Sequence, residues 1–288
     1  MHDTIIFMNE NPQSKQPIGI FDSGVGGLSV MKAIRQVLPY ENIIYFGDQA
    51  HIPYGPRPKE EIRKFSFEIA HFLLMHGAKL IVVACNTASA AALHALRHYF
   101  QEVPFVGMEP AVKPAAKLTQ TGEVGVLATS TTFSGDLFTS LVERFAQDVH
   151  LHTSTCPGLV QQIEDGQVEE PITREILEQA LKPMLEAGID TIVMGCTHYP
   201  FVIPLIQTIT GPNVHIIDPA PAIARQTNRL LKGNGLLNPT KEKGHTTFYT
   251  SGEPNKMSRL LPFLLGEDGD KVLPVRWSKG LLEEILLI

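Results

Sequence analysis

The sequence predicts an α/β protein: two pseudo-symmetric three-layer α/β/α domains with parallel sheets and an active site in the cleft between them. Short apolar runs alternate with longer stretches of helical periodicity, the pattern of βαβ units. The strand-like runs are continuous in Ile, Val and Leu rather than alternating, as strands covered on both faces are. The chain also repeats itself. Ile18-Gly19-Ile20-Phe21-Asp22-Ser23 aligns with Val124-Gly125-Val126-Leu127-Ala128-Thr129, Glu109-Pro110-Ala111 with Asp218-Pro219-Ala220, and Cys85 with Cys196. The offsets are 106, 109 and 111 residues, so three landmarks in one order mark two copies of one α/β unit.

Residues 1–16 lack the basic start and long apolar centre of a signal peptide. They read as a mobile N-terminal extension with a short ordered piece at Ile5-Ile6-Phe7. The first copy holds strand candidates at Ile18–Phe21, Ile43–Phe46, Leu80–Ala84 and Phe105–Met108. The second holds them at Val124–Leu127, His150–Thr153, Thr191–Met194 and Val214–Ile217. Between them, Glu60–His76 places Ile62, Phe65, Ile69, Phe72 and Leu73 at helical spacing and stops at Gly77. Pro171–Ala187 does the same before Gly188, with Pro183 making that helix less regular. Beyond Asp218 the chain reads as helix-rich, at Ala222–Leu231 and Gly280–Ile288, with Lys232–Gly244 as an exposed connection. This stretch has no counterpart between the repeats and is expected to pack back onto the first copy. The expected organisation is therefore a discontinuous first domain, 17–109 plus 220–288, and a second domain, 110–219.

Composition narrows the function classes. The chain has 288 residues, 43% hydrophobic and 19% charged, ordinary values for a globular protein. Its formal net charge of −6, without a basic cluster, argues against a nucleic-acid groove. No apolar run reaches the length of a membrane span. Three cysteines, with no CxxC, fit a reducing cytoplasm rather than a disulfide scaffold.

The repeated phrase carries the chemistry. Gly77-Ala-Lys-Leu-Ile81-Val82-Val83-Ala-Cys85-Asn86-Thr87 and Gly188-Ile-Asp-Thr-Ile192-Val193-Met194-Gly-Cys196-Thr197-His198 each present one thiol where a strand hands over to a helix. Ligands gather at that edge of a parallel sheet. A helix start there, as at Asn86–Leu93, is expected to draw the thiol pKa from about 8.5 toward neutrality. A nucleophilic cysteine needs one thiol with an activating His, a metal site needs three or four ligands, and a redox pair is usually CxxC. Two equivalent thiols suit another task, removing a proton from one face of a carbon and returning one to the other. For Cys156, which has no repeat partner, a core role is the simpler reading. Asp22 is placed to polarise Cys85, and His198 to do so for Cys196. Asn86, Thr87 and Thr197 offer neutral donors, and Thr129–Thr132 is a hydroxyl-rich strand end near the cleft. The turn Gly24-Val25-Gly26-Gly27 lets backbone approach a ligand. Pro53-Tyr54-Gly55 reads as a loop, and Glu164, from spacing alone, as a solvated helix acid.

Four phrases go further: Gly19-Ile-Phe-Asp22-Ser23-Gly-Val-Gly-Gly-Leu-Ser29, Pro53-Tyr54-Gly55, Ala84-Cys85-Asn86-Thr87-Ala88 and Gly195-Cys196-Thr197-His198-Tyr199-Pro200. Together they closely resemble the glutamate racemases, a cofactor-independent branch of the aspartate/glutamate racemase superfamily. The resemblance runs from Ile18 to about Asp218. It implies that Cys85 takes the α-proton of D-glutamate and Cys196 that of L-glutamate, with Asp22, His198 and Glu164 assisting. It implies substrate binding by Asp22, Ser23, Tyr54, Gly55, Asn86, Thr87, Thr197 and His198, and marks Asp48 as a further position of interest. It implies no cofactor and no metal, a cytoplasmic enzyme, a homodimer among its assembly states, and supply of D-glutamate for peptidoglycan in a bacterium. Some members need a UDP-N-acetylmuramoyl-alanine activator, which the motifs leave open here. The chain departs from its relatives in carrying His51 where they usually have Arg, and in its N-terminal extension. An aspartate-type racemase and a non-catalytic amino-acid-binding protein are the alternative readings.

Overall fold

A computed structural model describes residues 11–266 and 271–285. Its strands are β1 (Ile18–Asp22), β2 (Ile43–Gly47), β3 (Leu80–Val83), β4 (Phe105–Gly107), β5 (Glu123–Ala128), β6 (His150–Ser154), β7 (Thr191–Gly195), β8 (His215–Ile217), β9 (Thr246–Thr250), β10 (Val272–Ser278) and β11 (Leu281–Glu284). The helices are α1 (Leu28–Val37), α2 (Lys59–Met75), α3 (Asn86–Tyr99), α4 (Val112–Leu118), α5 (Ser130–Phe133), α6 (Asp136–Phe145), α7 (Leu159–Glu164), α8 (Pro171–Glu186), α9 (Ile203–Thr210), α10 (Ala220–Gly233) and α11 (Pro254–Leu265).

The duplication read from the sequence is explicit in the topology. One sheet runs β11-β10-β9-β2-β1-β3-β4 and the other β6-β5-β7-β8. The order β2-β1-β3-β4 thus recurs as β6-β5-β7-β8, with every pair in both sets parallel. In each sheet the chain reverses its direction of travel between two central strands, β1 and β3 or β5 and β7. Such switch points open a crevice at the carboxyl ends of the strands.

Both sheets are covered on both faces. In the larger, Ile18, Ile20, Leu80 and Val82 pack with α1, α10 and α11, while Phe21, Phe46, Ile81 and Val83 pack with α2 and α3. In the smaller, Ile192 and Met194 face α7, α8 and α9, and Val124, Val126 and Val193 face α4 and α6. Fully buried strands explain the unalternated apolar runs.

The two glycines of the repeated phrase act alike. Gly77 (φ +82°) and Gly188 (φ +81°) end α2 and α8 in the left-handed conformation. Ala78 N–H donates to the Leu73 carbonyl and Gly77 N–H to that of Leu74; Ile189 and Gly188 repeat this on Met184 and Leu185. Each helix is closed by the same reciprocal cap, and the strand bearing the cysteine follows.

Three features differ from the expectations. The stretch after Asp218 contributes β9, β10 and β11 to the larger sheet as well as α10 and α11. Leu281–Glu284, inside the span expected to be helical, pairs antiparallel with β10; residues 286–288 lie outside the described residues. An available sheet edge overrides the helical spacing of Leu281, Leu282 and Ile285. The expected mobile extension and its piece at Ile5-Ile6-Phe7 lie outside the described residues through residue 10. Pro12–Lys15, however, forms a 3-10 turn whose Ser14 carbonyl accepts from the buried Lys79 ammonium, which also pairs with Glu41. Among the described residues, no helix is long and apolar enough to cross a membrane.

Candidate active site

The two switch-point crevices face each other and enclose a cavity of about 20 Å³, close to the room one water molecule needs. Ser23, Tyr54, Gly55, Cys85, Asn86 and Thr87 line it from the larger sheet; Thr129, Cys196, Thr197 and His198 line it from the smaller. Pro53 and Val160 complete the wall. Pro53-Tyr54-Gly55 is therefore wall rather than simple loop. No pattern in the sequence marks Val160, a first-turn residue of a short helix.

Contacts across the crevice close it. Thr87 Oγ1 lies 2.9 Å from Thr129 Oγ1, Ser29 Oγ donates to the Thr197 carbonyl at 3.0 Å, and Thr197 Oγ1 donates to Asp22 Oδ1 at 3.3 Å. The hydroxyl of Thr131 also donates to the Gly55 carbonyl.

Cys85 is the N-cap of α3. Its backbone is extended (φ −109°, ψ 123°) and its Sγ accepts from Ala88 N–H at 3.5 Å. Burial nevertheless pushes this thiol well above its ordinary value, the nearby Asp22 charge adds to the rise, and the Ala88 N–H only partly offsets them. The expectation of a thiol drawn toward neutrality fails for Cys85, because desolvation and a neighbouring carboxylate outweigh one helix N-terminus. The expected polarising contact from Asp22 is also absent. Asp22 Oδ2 accepts from Gly24 and Gly27 N–H at 3.2 and 2.9 Å, its Oδ1 is taken by Thr197, and Cys85 Sγ instead faces Ser23 Oγ at 3.9 Å. Asp22 acts on Cys85 through its charge.

Cys196 is built differently. It directly follows β7 and leads into a 3-10 turn at Tyr199–Val202 rather than an α-helix start. Its Sγ lies 3.8 Å from His198 Nδ1, and His198 Nε2 lies 2.7 Å from Glu164 Oε1. Glu164, expected from spacing to be solvated, is 2% exposed. Its Oε1 also accepts Val25 N–H at 2.7 Å and its Oε2 the Gln49 amide at 2.8 Å. Two of its three partners, Val25 and Gln49, stand more than a hundred residues away in sequence, so local spacing could not reveal its state. Gln49 was not singled out by any sequence pattern.

Asp48 and His51 stay behind the wall. The Asp48 carboxylate accepts from Tyr54 OH (2.6 Å), Ser251 Oγ (2.6 Å) and Trp277 Nε1 (2.7 Å), and His51 Nδ1 lies 2.9 Å away. It thereby fixes Tyr54, while His51 stacks on Phe65. Cys156 is buried in the core of the smaller sheet, its thiol pushed up to about 12 mainly by that burial.

Asn86 stands apart. It is 3% exposed and lines the cavity, yet neither its side-chain oxygen nor its nitrogen has a hydrogen-bond partner among the described residues. An unpaired buried amide is costly unless a polar ligand engages it.

Two thiols, one from each copy of a duplicated unit, thus share one small cavity. The Asp/Glu/Hydantoin racemase family model matches residues 18–227. The chain belongs to this family. Among curated members of the Asp/Glu/Hydantoin racemases, the glutamate racemase of Ectopseudomonas mendocina is 49% identical over 255 residues, spanning 88% of this chain and 97% of that protein. That of Herpetosiphon aurantiacus is 49% identical over 245 residues, 85% and 96% of the two chains. The solved glutamate racemase isoform RacE1 of Bacillus anthracis superposes with a TM-score of 0.82 at 32% identity, covering 93% of this chain and 99% of that one. The Escherichia coli glutamate racemase, solved with L-glutamate and the activator UDP-MurNAc-Ala, gives 0.78 at 33% identity, with coverage of 90% and 97%.

Proposed function

We propose that this chain interconverts L- and D-glutamate by a two-thiol proton transfer, in the cytoplasm of a bacterium that uses D-glutamate in peptidoglycan. The observation that carries this reading is the pair Cys85 and Cys196 lining one cavity from two homologous crevices. The glutamate racemases among its relatives support the substrate assignment.

Racemisation needs one group to accept the α-proton while another delivers a proton to the opposite face. In this reading the Cys85 thiolate takes the α-proton of D-glutamate, and the Cys196 thiol protonates the resulting carbanion to give L-glutamate. In the reverse direction the Cys196 thiolate takes the proton of L-glutamate and Cys85 returns one. The His198 side chain, braced by Glu164, is the polar partner of the sulfur on that side, its Nδ1 3.8 Å from Cys196 Sγ. Among the described residues Cys85 lacks such a partner; Ser23 Oγ and Ala88 N–H are its polar contacts. A substrate ammonium brought close to it would supply the positive charge that its surroundings lack. Asn86, Thr87, Thr197 and Ser23 offer neutral donors and acceptors for the two carboxylates and the ammonium. The cavity is far smaller than glutamate, so binding requires the two crevices to part and then close on the substrate.

For a peptidoglycan-precursor activator the candidate place is a second cavity, of about 580 Å³, beside the crossovers that join the two halves. Glu109-Pro110-Ala111 and Asp218-Pro219 line it with Arg97, Lys113, Arg144, Arg225 and Arg229, a basic lining suited to a diphosphate.

The test is α-proton exchange in heavy water, followed from each enantiomer for Cys85→Ser and Cys196→Ser. Opposite losses are expected for the two variants. Full racemisation by either variant overturns the two-thiol reading.

A further inference from the structure

Glu164 receives three partners, and two of them come from the opposite half of the molecule. Val25 N–H, in the turn after β1, donates to Oε1, and the Gln49 side-chain amide, just beyond β2, donates to Oε2 at 2.8 Å. The third, His198, shares Oε1 and lies on the same side of the crevice as Glu164 and Cys196.

The direction of the Gln49 amide is fixed by Glu164, whose carboxylate only accepts, and the amide oxygen meets a second neighbour. Thr250 Oγ1, fully buried at the end of β9, accepts Gly252 N–H at 3.0 Å and lies 2.8 Å from Gln49 Oε1. The backbone N–H takes one lone pair of that hydroxyl, and its proton donates to the Gln49 oxygen. With its oxygen committed, Gln49 can present only its NH₂ to Glu164. A methyl group at Gly252 would stand 2.7 Å from Gln49 Cβ, so the glycine leaves Gln49 its path to the carboxylate.

An unbroken line therefore runs Thr250, Gln49, Glu164, His198, Cys196, and it crosses the crevice between Gln49 and Glu164. Cys85 has no share in it; its polar contacts among the described residues are Ser23 and Ala88. Resting on the racemase reading above, we propose that Gln49 is a positioning residue for the Cys196 half of the reaction, its side-chain amide locking Glu164 and hence His198 only when the two halves are closed. Closure would then complete the support of one thiol and leave that of the other unchanged.

The effect must be one-sided, and the overall equilibrium between enantiomers constrains kcat/KM to change equally in both directions. The discriminating readout is the α-deuterium isotope effect measured separately with labelled L- and D-glutamate. In Gln49→Met, which keeps the length of the side chain and loses the amide, kcat/KM should fall about tenfold or more, as for the loss of one hydrogen bond to a charged group. The isotope effect should rise with L-glutamate, whose proton Cys196 removes, and fall with D-glutamate. Thr250→Val, which frees the amide without touching Glu164, should shift both isotope effects in the same directions by less, and it carries the test if Gln49→Met does not fold. Isotope effects that stay at wild-type values, or move together, overturn the proposal. Wild-type enzyme that fails to interconvert glutamate would instead overturn the function on which it rests.

Discussion

His198 Nε2 lies 2.7 Å from Glu164 Oε1, and neither side chain is more than 3% exposed. Burial alone would lower the histidine and raise the carboxyl group. The histidine is instead held well above its ordinary value by its hydrogen bonds to Cys196 and Glu164. The carboxyl group is held below its own by His198, Val25 and Gln49. The pair is therefore an imidazolium and a carboxylate, and Nδ1–H of the imidazolium points at the Cys196 sulfur.

Stability should follow this pair with pH. The raised histidine contributes fully below its unfolded pKa of about 6.5 and loses that contribution as pH rises through its folded value. The lowered Glu164 contributes fully above about 4.3 and loses its share as pH falls through its folded value. Glu164→Gln should cost on the order of 3 kcal/mol near pH 6. Denaturant unfolding of both proteins across pH should show that gap narrowing in acid. A gap that persists undiminished into strong acid would contradict the ion pair.

Gly26 tests how tightly the crevice must close. A Cβ there would lie 2.4 Å from His198 Nδ1. Gly26→Ala should lower kcat/KM by roughly a hundredfold, the scale expected from a misplacement of about 1 Å. Its unfolding midpoint should move little, because parting of the two halves relieves the clash. Steady-state kinetics beside thermal unfolding decide it, and near-normal kinetics would show that His198 has room to move.

Asp22 raises Cys85 by its charge, and Asp22→Asn removes that charge while keeping an acceptor for Gly24 and Gly27. The Cys85 titration should shift to lower pH. Thiolate ultraviolet absorbance, followed with Cys156 and Cys196 replaced by serine, reads it directly. An upward shift would mean that Asp22 supports the thiolate.

Lys79 and Glu41 form a buried pair far from the cavity, and burial lowers the lysine while Glu41 resists that fall. Lys79→Met leaves Glu41, among the described residues, with the Asn238 N–H alone and should cost about 3–5 kcal/mol of stability. The turnover number of the folded variant should stay close to wild type. A large loss of turnover with little loss of stability would tie this end of the sheet to the site.

The eight strand candidates before Asp218 all correspond to strands, because each is a local apolar run bounded by turn residues. The C-terminal edge was less legible. Leu281 and Leu282 carry helical spacing, and only the presence of β10 beside them makes a strand. Glu164 is the sharper case, since its burial depends on Val25, 139 residues away.

By itself the sequence determined the duplicated α/β plan, the capping glycines before each thiol, and the placing of Cys85 and Cys196 at equivalent sheet edges. These are properties of neighbours along the chain, set by backbone sterics and hydrophobic period. The tertiary structure alone decided that Cys85 is raised rather than lowered, that Asp22 serves the glycine turn and Thr197, and that Gln49 reaches Glu164. Desolvation and charge act through space, and the groups that supply them meet only when two distant crevices close on each other.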